Sequence, residues 1–131
     1  MRFVRFEATT PNARGAHIGV FGLANGLRSA GRLTEADLSW LTANNAFGNA
    51  AYPDPGTVDP TLFDKAVHPF ATCWFRSTAT HLLDYVEEYL HVLTRYGVDW
   101  HRRETDDPGV ILYEDDVQVV AEPPPRQASG G

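Results

Sequence analysis

Gly109-Val110-Ile111-Leu112-Tyr113-Glu114-Asp115-Asp116-Val117-Gln118-Val119-Val120-Ala121-Glu122 sets two β-prone runs on either side of a short acidic tip. With only turn residues between the runs, the stretch reads as a β-hairpin. Asp-Asp is poor at the left-handed angles of a two-residue turn, so a four-residue loop from Glu114 to Val117 is the expected connection. That loop pairs Tyr113 with Gln118 and Leu112 with Val119. Both faces of such a hairpin are largely apolar, which places it inside a sheet or at an interface.

Upstream, Val98, Trp100 and Arg102 alternate with Asp99, His101 and Arg103, giving a strand that ends at Asp106-Asp107-Pro108-Gly109. At the other end of the chain, Val4, Phe6 and Ala8 alternate with Phe3, Arg5 and Glu7 as in a half-buried strand. From Gly19, residues Val20, Leu23, Ala24 and Leu27 take helical spacing, and Gly31 stands where a helix C-cap belongs. Thr34 followed by Asp37 forms a capping signal, so a second helix starts at Glu35 and is expected to fail near Asn44-Asn45. Residues 48–60 hold Pro53, Pro55, Gly56 and Pro60 and read as a loop of the length that covers a functional surface. Asp59-Pro60 then resembles the start of a short helix running to His68-Pro69. The main helix is expected from Ala71 to Tyr96, because Phe75, Ala79, Leu82, Leu83, Val86, Leu90 and Leu93 trace one apolar stripe.

The 131 residues suffice for one core and not for two ordinary domains. The resulting expectation is a single α+β domain over residues 1–123. An antiparallel sheet of about four strands, one N-terminal and three C-terminal, carries the helices on one face. Residues 124–131, beginning in Pro124-Pro125, have the composition of a disordered tail.

The only cysteine, Cys73, excludes an internal disulfide and every cysteine-based zinc pattern. A reducing cytoplasm is expected, with no signal peptide and no membrane span. Residues 1–50 hold five Arg against three acids and residues 51–131 hold six basic against fourteen acidic side chains, so a net +2 is followed by −8. The total of −6 disfavours nucleic acid, since the counterion-release term is lost. A protein partner, preferably basic, fits the charge, and a homodimer formed along the sheet edge is a further expectation.

Four constellations invite a chemical reading. Asp84, Glu88 and His91 would share a helical face, but a carboxylate-bridged metal centre requires a second Glu-x-x-His that the chain lacks; no metal and no cofactor is expected. Ser77, His81 and Asp84 mimic a nucleophilic triad without an oxyanion hole or a Gly-x-Ser-x-Gly elbow, so no catalytic residue is assigned. Gly15, Gly19, Gly22 and Gly26, near Arg14 and His17, match neither phosphate-binding fingerprint. Trp74-Phe75-Arg76 combines the residue types that dominate interface hot spots. Ligand or partner contacts are therefore expected at Trp74, Arg76, His81, Tyr113, Glu114 and Asp115.

The segments Trp74-Phe75-Arg76-x-x-Ala79, Tyr96-Gly97-Val98 and Gly109-x-Ile111-x-Tyr113-Glu114-Asp115-x-x-Gln118-Val119-Val120-Ala121-x-Pro123 resemble a group of small bacterial proteins. The resemblance implies the domain limits and brings with it no established activity. Arg76 stands where that group more often has Lys, and the central loop is longer here. The expected function is a small acidic, non-catalytic protein-binding module of inhibitor, immunity or regulatory type. The alternative is a small enzyme or ligand binder with a pocket near Trp74, Arg76, His81 and Tyr113.

Overall fold

The computed structural model describes residues 1–123; the expected tail at 124–131 lies outside the described residues. The order is β1 (Phe3–Ala8), α1 (Val20–Ser29), α2 (Glu35–Ala51), α3 (Pro55–Val58), β2 (Thr72–Arg76), α4 (Thr80–Arg95), β3 (Trp100–Thr105), β4 (Val110–Glu114) and β5 (Gln118–Glu122). The strands form one sheet in the order β3-β1-β2-β5-β4, antiparallel throughout. The α+β class and the single antiparallel sheet are as expected, with five strands where about four were expected.

The additional strand is β2, which the apolar stripe absorbs into the main helix. Phe75 and Ala79 do pack in the same core cluster as Leu82, Val86, Leu90 and Leu93. They reach it from a strand and a turn, so the 3.6 spacing across residues 75–82 is coincidental. Thr72, Cys73, Trp74 and Phe75 are β-branched or aromatic or compact, which suits a pleated surface, and they pair with Ala121, Val120, Val119 and Gln118. The helix proper begins at Thr80.

One sheet face carries the helices. Val4 and Phe6 of β1 join Phe75, Leu27, Leu41 and the buried side of α4 in the main core, each such side chain contributing about 1.5–3 kcal/mol on burial. The neighbours of opposite pleat, Phe3, Trp74 and Val119, form a separate cluster on the other face. Thr34 caps α2 by accepting from the Asp37 amide at 3.2 Å, as the capping signal predicts.

Two helical expectations are corrected. Helix α2 runs through Asn44, Asn45 and Gly48 to Ala51. Asn44 donates to the Trp40 carbonyl at 2.9 Å and Asn45 to Asn25 Oδ1 at 3.0 Å, so both amides find partners that leave the helix ladder intact. The short helix lies one Asp-Pro pair earlier than expected: Asp54 caps Pro55–Val58, while Asp59 Oδ1 takes the Thr61 amide at 3.0 Å and Thr61 hydroxyl at 2.8 Å and forms a turn.

The closing hairpin exists with a different register. Glu114 faces Val119, Tyr113 faces Val120 and Ile111 faces Ala121, with a bulge between Ile111 and Tyr113. The expected Tyr113–Gln118 and Leu112–Val119 pairs are displaced because the turn closes later, where the Asp115 amide donates to the Gln118 carbonyl at 2.9 Å, and the bulge then leaves Leu112 unpaired. Strand β5 is interior and β4 is an edge.

Candidate functional site

A cleft of about 490 Å³ opens between α1, the second half of α2, α4 and β5. Its walls are aromatic or apolar, including Phe21, Tyr52, Phe75 and Leu82, and its polar groups come from Asn25 and Arg28 of α1, Asn45 and Asn49 of α2, Asp54 before α3, Tyr85 of α4 and Gln118 of β5. Apolar walls with a few convergent polar groups are the usual make-up of a small-ligand site.

A fixed hydrogen-bond relay underlies the cleft. The Tyr89 hydroxyl donates to Asn45 Oδ1 at 2.7 Å, while the Tyr85 hydroxyl, 2.7 Å from that of Tyr89, gives its single proton to the Asn44 carbonyl and is not itself a link in the relay. Asn45 Nδ2 then donates to Asn25 Oδ1 at 3.0 Å. Burial and the Tyr85 hydroxyl together push the Tyr89 phenol far above its ordinary range, so it serves as a fixed donor. Gly48 leaves room for the Tyr85 hydroxyl, since a Cβ there would stand 2.4 Å from it. At the end of the relay Asn25 Nδ2 has no partner among the described residues, and neither have Asn49 and Arg28. The cleft rim thus presents the Arg28 guanidinium and the Asn25 and Asn49 amides, beside the Asp54 carboxylate.

The expected site residues do not gather in one pocket. Arg76, Tyr113, Glu114 and Asp115 meet at the hairpin tip, where Arg76 donates to the Asp115 carbonyl at 2.7 Å and to Glu114 Oε2 at 3.1 Å. Asp115 accepts from the Tyr113 hydroxyl at 2.7 Å and from the amides of Val117 and Gln118 at 2.9 and 3.0 Å. Burial alone would raise the Asp115 carboxyl, but these donors outweigh it and hold it low, and the same carboxylate pushes the Tyr113 phenol up to about 12. The tip carboxylates hold the turn together. His81 stacks on Tyr52 with ring centroids 5.5 Å apart and lines a neighbouring shallow hollow with Asp115 and Asp116. Trp74 lies on the other face, 5% exposed, beneath the Arg103 guanidinium.

Other candidates resolve simply. Asp84, Glu88 and His91 are exposed on α4. Ser77 sits before α4, its amide donating to the Arg2 carbonyl at 2.9 Å, and no hydrogen bond joins it to His81 among the described residues. Cys73 donates to Gln118 Oε1 at 3.3 Å, and desolvation pushes its thiol up to about 12.

Sequence reasoning missed the asparagines, which it read as a helix end, and it missed Glu7. In the strand alternation Glu7 falls on the outward side, yet it is 1% exposed. Arg5 Nε donates to Glu7 Oε1 at 2.8 Å, Arg103 Nη1 to the same oxygen at 3.2 Å, and His101 Nε2 lies 3.0 Å from Oε2. Burial would raise this carboxyl; the hydrogen bonds from His101 and Arg5 and the charges of Arg103 and Arg5 outweigh it and hold it low. Among the described residues, no helix is long and apolar enough to cross a membrane. Comparison with family models, with curated proteins and with solved structures gives no match to this chain.

Proposed function

We propose that this protein is a small non-catalytic binding protein whose cleft between α1, α2 and α4 takes a compact ligand rich in hydrogen-bond acceptors, such as a carboxylate-bearing metabolite. The observation that carries this reading is the set of unpartnered groups, Asn25 Nδ2, the Asn49 amide and the Arg28 guanidinium, at the rim of a cleft whose floor is fixed by the Tyr89–Asn45–Asn25 relay. A rigid floor with spare donors binds without first having to reorganise. Thermal-shift screening against small carboxylates, amides and sugars tests it. A hit should raise the melting temperature of the wild type, and Asn25→Ala or Arg28→Ala should weaken that ligand about tenfold, about 1.4 kcal/mol for a lost charge-assisted or amide contact. Silence across the panel, or a hit indifferent to both substitutions, overturns the reading.

A second reading, a cytoplasmic protein-binding module of inhibitor, immunity or regulatory type that meets a basic partner, is supported by another feature. The end of α3 and the segment after it expose Val58 (65%), Phe63 (44%), Val67 (52%) and Phe70 (68%) in a chain of net charge −6. Several large apolar side chains exposed close together in sequence favour a macromolecular contact. Native mass spectrometry and pull-down from lysate should return one specific partner, or a homodimer, lost in a Phe63→Ser/Phe70→Ser double variant. A monomer with no specific partner removes that reading.

A further inference from the structure

On the sheet face that carries no helices, Arg5 and Glu7 of β1, His101 and Arg103 of β3 and His17 of the loop before α1 form one cluster. Donor atoms of Glu7, His17 and His101 lie within 4.8 Å of one another, and a carboxylate with two imidazoles first suggests a divalent metal. The hydrogen bonding argues otherwise. Glu7 already faces two guanidiniums, Arg5 Nε at 2.8 Å and Arg103 Nη1 at 3.2 Å, so a cation entering here meets two like charges. His17 Nδ1 is 2.8 Å from the Ala8 carbonyl, which only accepts, so this nitrogen carries the proton and has no lone pair for a metal. His101 Nε2, 3.0 Å from the ionised Glu7, is a donor for the same reason.

What remains free points to the opposite kind of ligand. His17 Nε2, His101 Nδ1 and the far side of the Arg103 guanidinium have no partner among the described residues. Their side chains are 33%, 41% and 50% exposed, while Glu7 is only 2% exposed. One carboxylate against two guanidiniums leaves a local excess of positive charge, and protonation of either imidazole adds to it. Trp74 backs the group: Arg103 lies 5.2 Å from its ring centroid, an arrangement that holds the guanidinium over the sheet. Arg5 is fixed independently by the Cys73 carbonyl at 2.9 Å and the His17 carbonyl at 2.7 Å.

We propose that this cluster is an oxyanion site that binds a phosphate group, as the free ion or as a small phosphomonoester, between His17, His101 and Arg103. Arg103 supplies the forked donor that phosphate oxygens match; the Ala8 carbonyl orients the His17 ring and Glu7 orients that of His101 from beneath, without being accessible to the ligand. Toward the phosphate each imidazole presents its free nitrogen, which donates in the imidazolium form and accepts from a phosphate O–H in the neutral form. The charged groups facing the histidines are Arg5, Glu7 and Arg103.

Isothermal titration of the full chain with inorganic phosphate and, separately, with glycerol 3-phosphate tests this. One saturable site is expected. Arg103→Gln should weaken it about tenfold, about 1.4 kcal/mol, and His17→Gln and His101→Gln should each weaken it as well. Circular dichroism of these variants should match the wild type, since all three side chains are at least a third exposed. Tighter binding of the ester identifies a phosphomonoester as the ligand, and equal binding identifies the free ion; both uphold the site. Three results overturn it: no saturation by about 10 mM phosphate, well above the about 1 mM constant of a weak single-anion site; an Arg103→Gln variant in its native fold that binds as well as the wild type; or a zinc titration that saturates at this cluster with affinity rising with pH, as deprotonated ligands require.

Discussion

Glu7 is the residue on which most polar contacts of the open sheet face converge. A carboxylate that is 1% exposed persists as an ion only because Arg5, Arg103 and His101 surround it. Glu7→Gln removes the charge and leaves two guanidiniums facing each other, so the variant should lose about 3 kcal/mol of stability, the scale for breaking a buried pair. Urea denaturation measures it, and a loss under about 1 kcal/mol would place the pair among weak surface bridges. Cys73 gives a second expectation at this scale. With its thiol pushed up to about 12, it should react with iodoacetamide at neutral pH far more slowly in the folded protein than in denaturant. Neither property was legible in the sequence. Alternation places Arg5 and Glu7 on one side of a strand, but it does not reveal that His101 and Arg103, almost a hundred residues away, close over them.

At the scale of elements, the strands and helices whose periods are unbroken were legible, and the errors lie where two elements share one core. Strand β1, helix α1 and the start of α2 fall where alternation, apolar spacing and the Thr34 cap place them. Strand β2 was hidden because Phe75 and Ala79 are buried with the α4 stripe, and burial is what periodicity detects. The end of α2 was misplaced because Asn and Gly are poor helix residues in isolation, whereas here tertiary contacts retain them. Gly48 shows why: a Cβ at this position would stand 2.4 Å from the Tyr85 hydroxyl. Gly48→Ala should therefore cost about 1–3 kcal/mol, as overpacking does, despite the better helix propensity of Ala. Tyr85→Phe in that background should recover part of the loss in thermal denaturation. Gly109 sets a harder limit. At φ +107°, with the Glu122 carbonyl 2.0 Å from where a Cβ would be, Gly109→Ala should cost more than Gly48→Ala, because backbone cannot move aside as a side chain can.

For the whole molecule, the carboxylates set the response to acid. Hydrogen bonds from Arg95 and Tyr96 lower Asp37 to about 2, and Glu7 and Asp115 are also held low. A carboxyl depressed in the folded state stabilises it fully above the unfolded value near 4 and loses that contribution as the pH falls toward the folded value. Stability should thus be flat above about pH 5 and decline between about pH 4 and about pH 2. Asp37→Asn should be less stable than the wild type at neutral pH, and the difference should shrink toward zero as the pH approaches 2, as chemical denaturation across that range will measure. The fold class and the single sheet were legible at this scale. The cleft was only partly so: residues 52–55 of the Pro-rich stretch do line it, but its donors come from α1 and α2, whose approach depends on contacts distant in sequence.

The sheet is also less continuous than its five strands suggest. Strand β1 pairs with β3 over six residue pairs and with β2 over only two, Phe3↔Arg76 and Val4↔Phe75. Beyond Val4 its next backbone partner is the segment at Ile18–Gly19, and the guanidinium of Arg5, bonded to the Cys73 and His17 carbonyls, spans the gap to β2. One side chain therefore does the work of several rungs of ladder. Because arginine keeps its charge at every accessible pH, this joint does not loosen in acid or base, and it fails only when the fork itself is lost. Arg5→Lys keeps the charge and forfeits the fork. In hydrogen exchange it should release the amides of β1 beyond Val4 and of the Ile18–Gly19 segment while β2, β4 and β5 stay protected, so that the sheet parts into two independently opening halves.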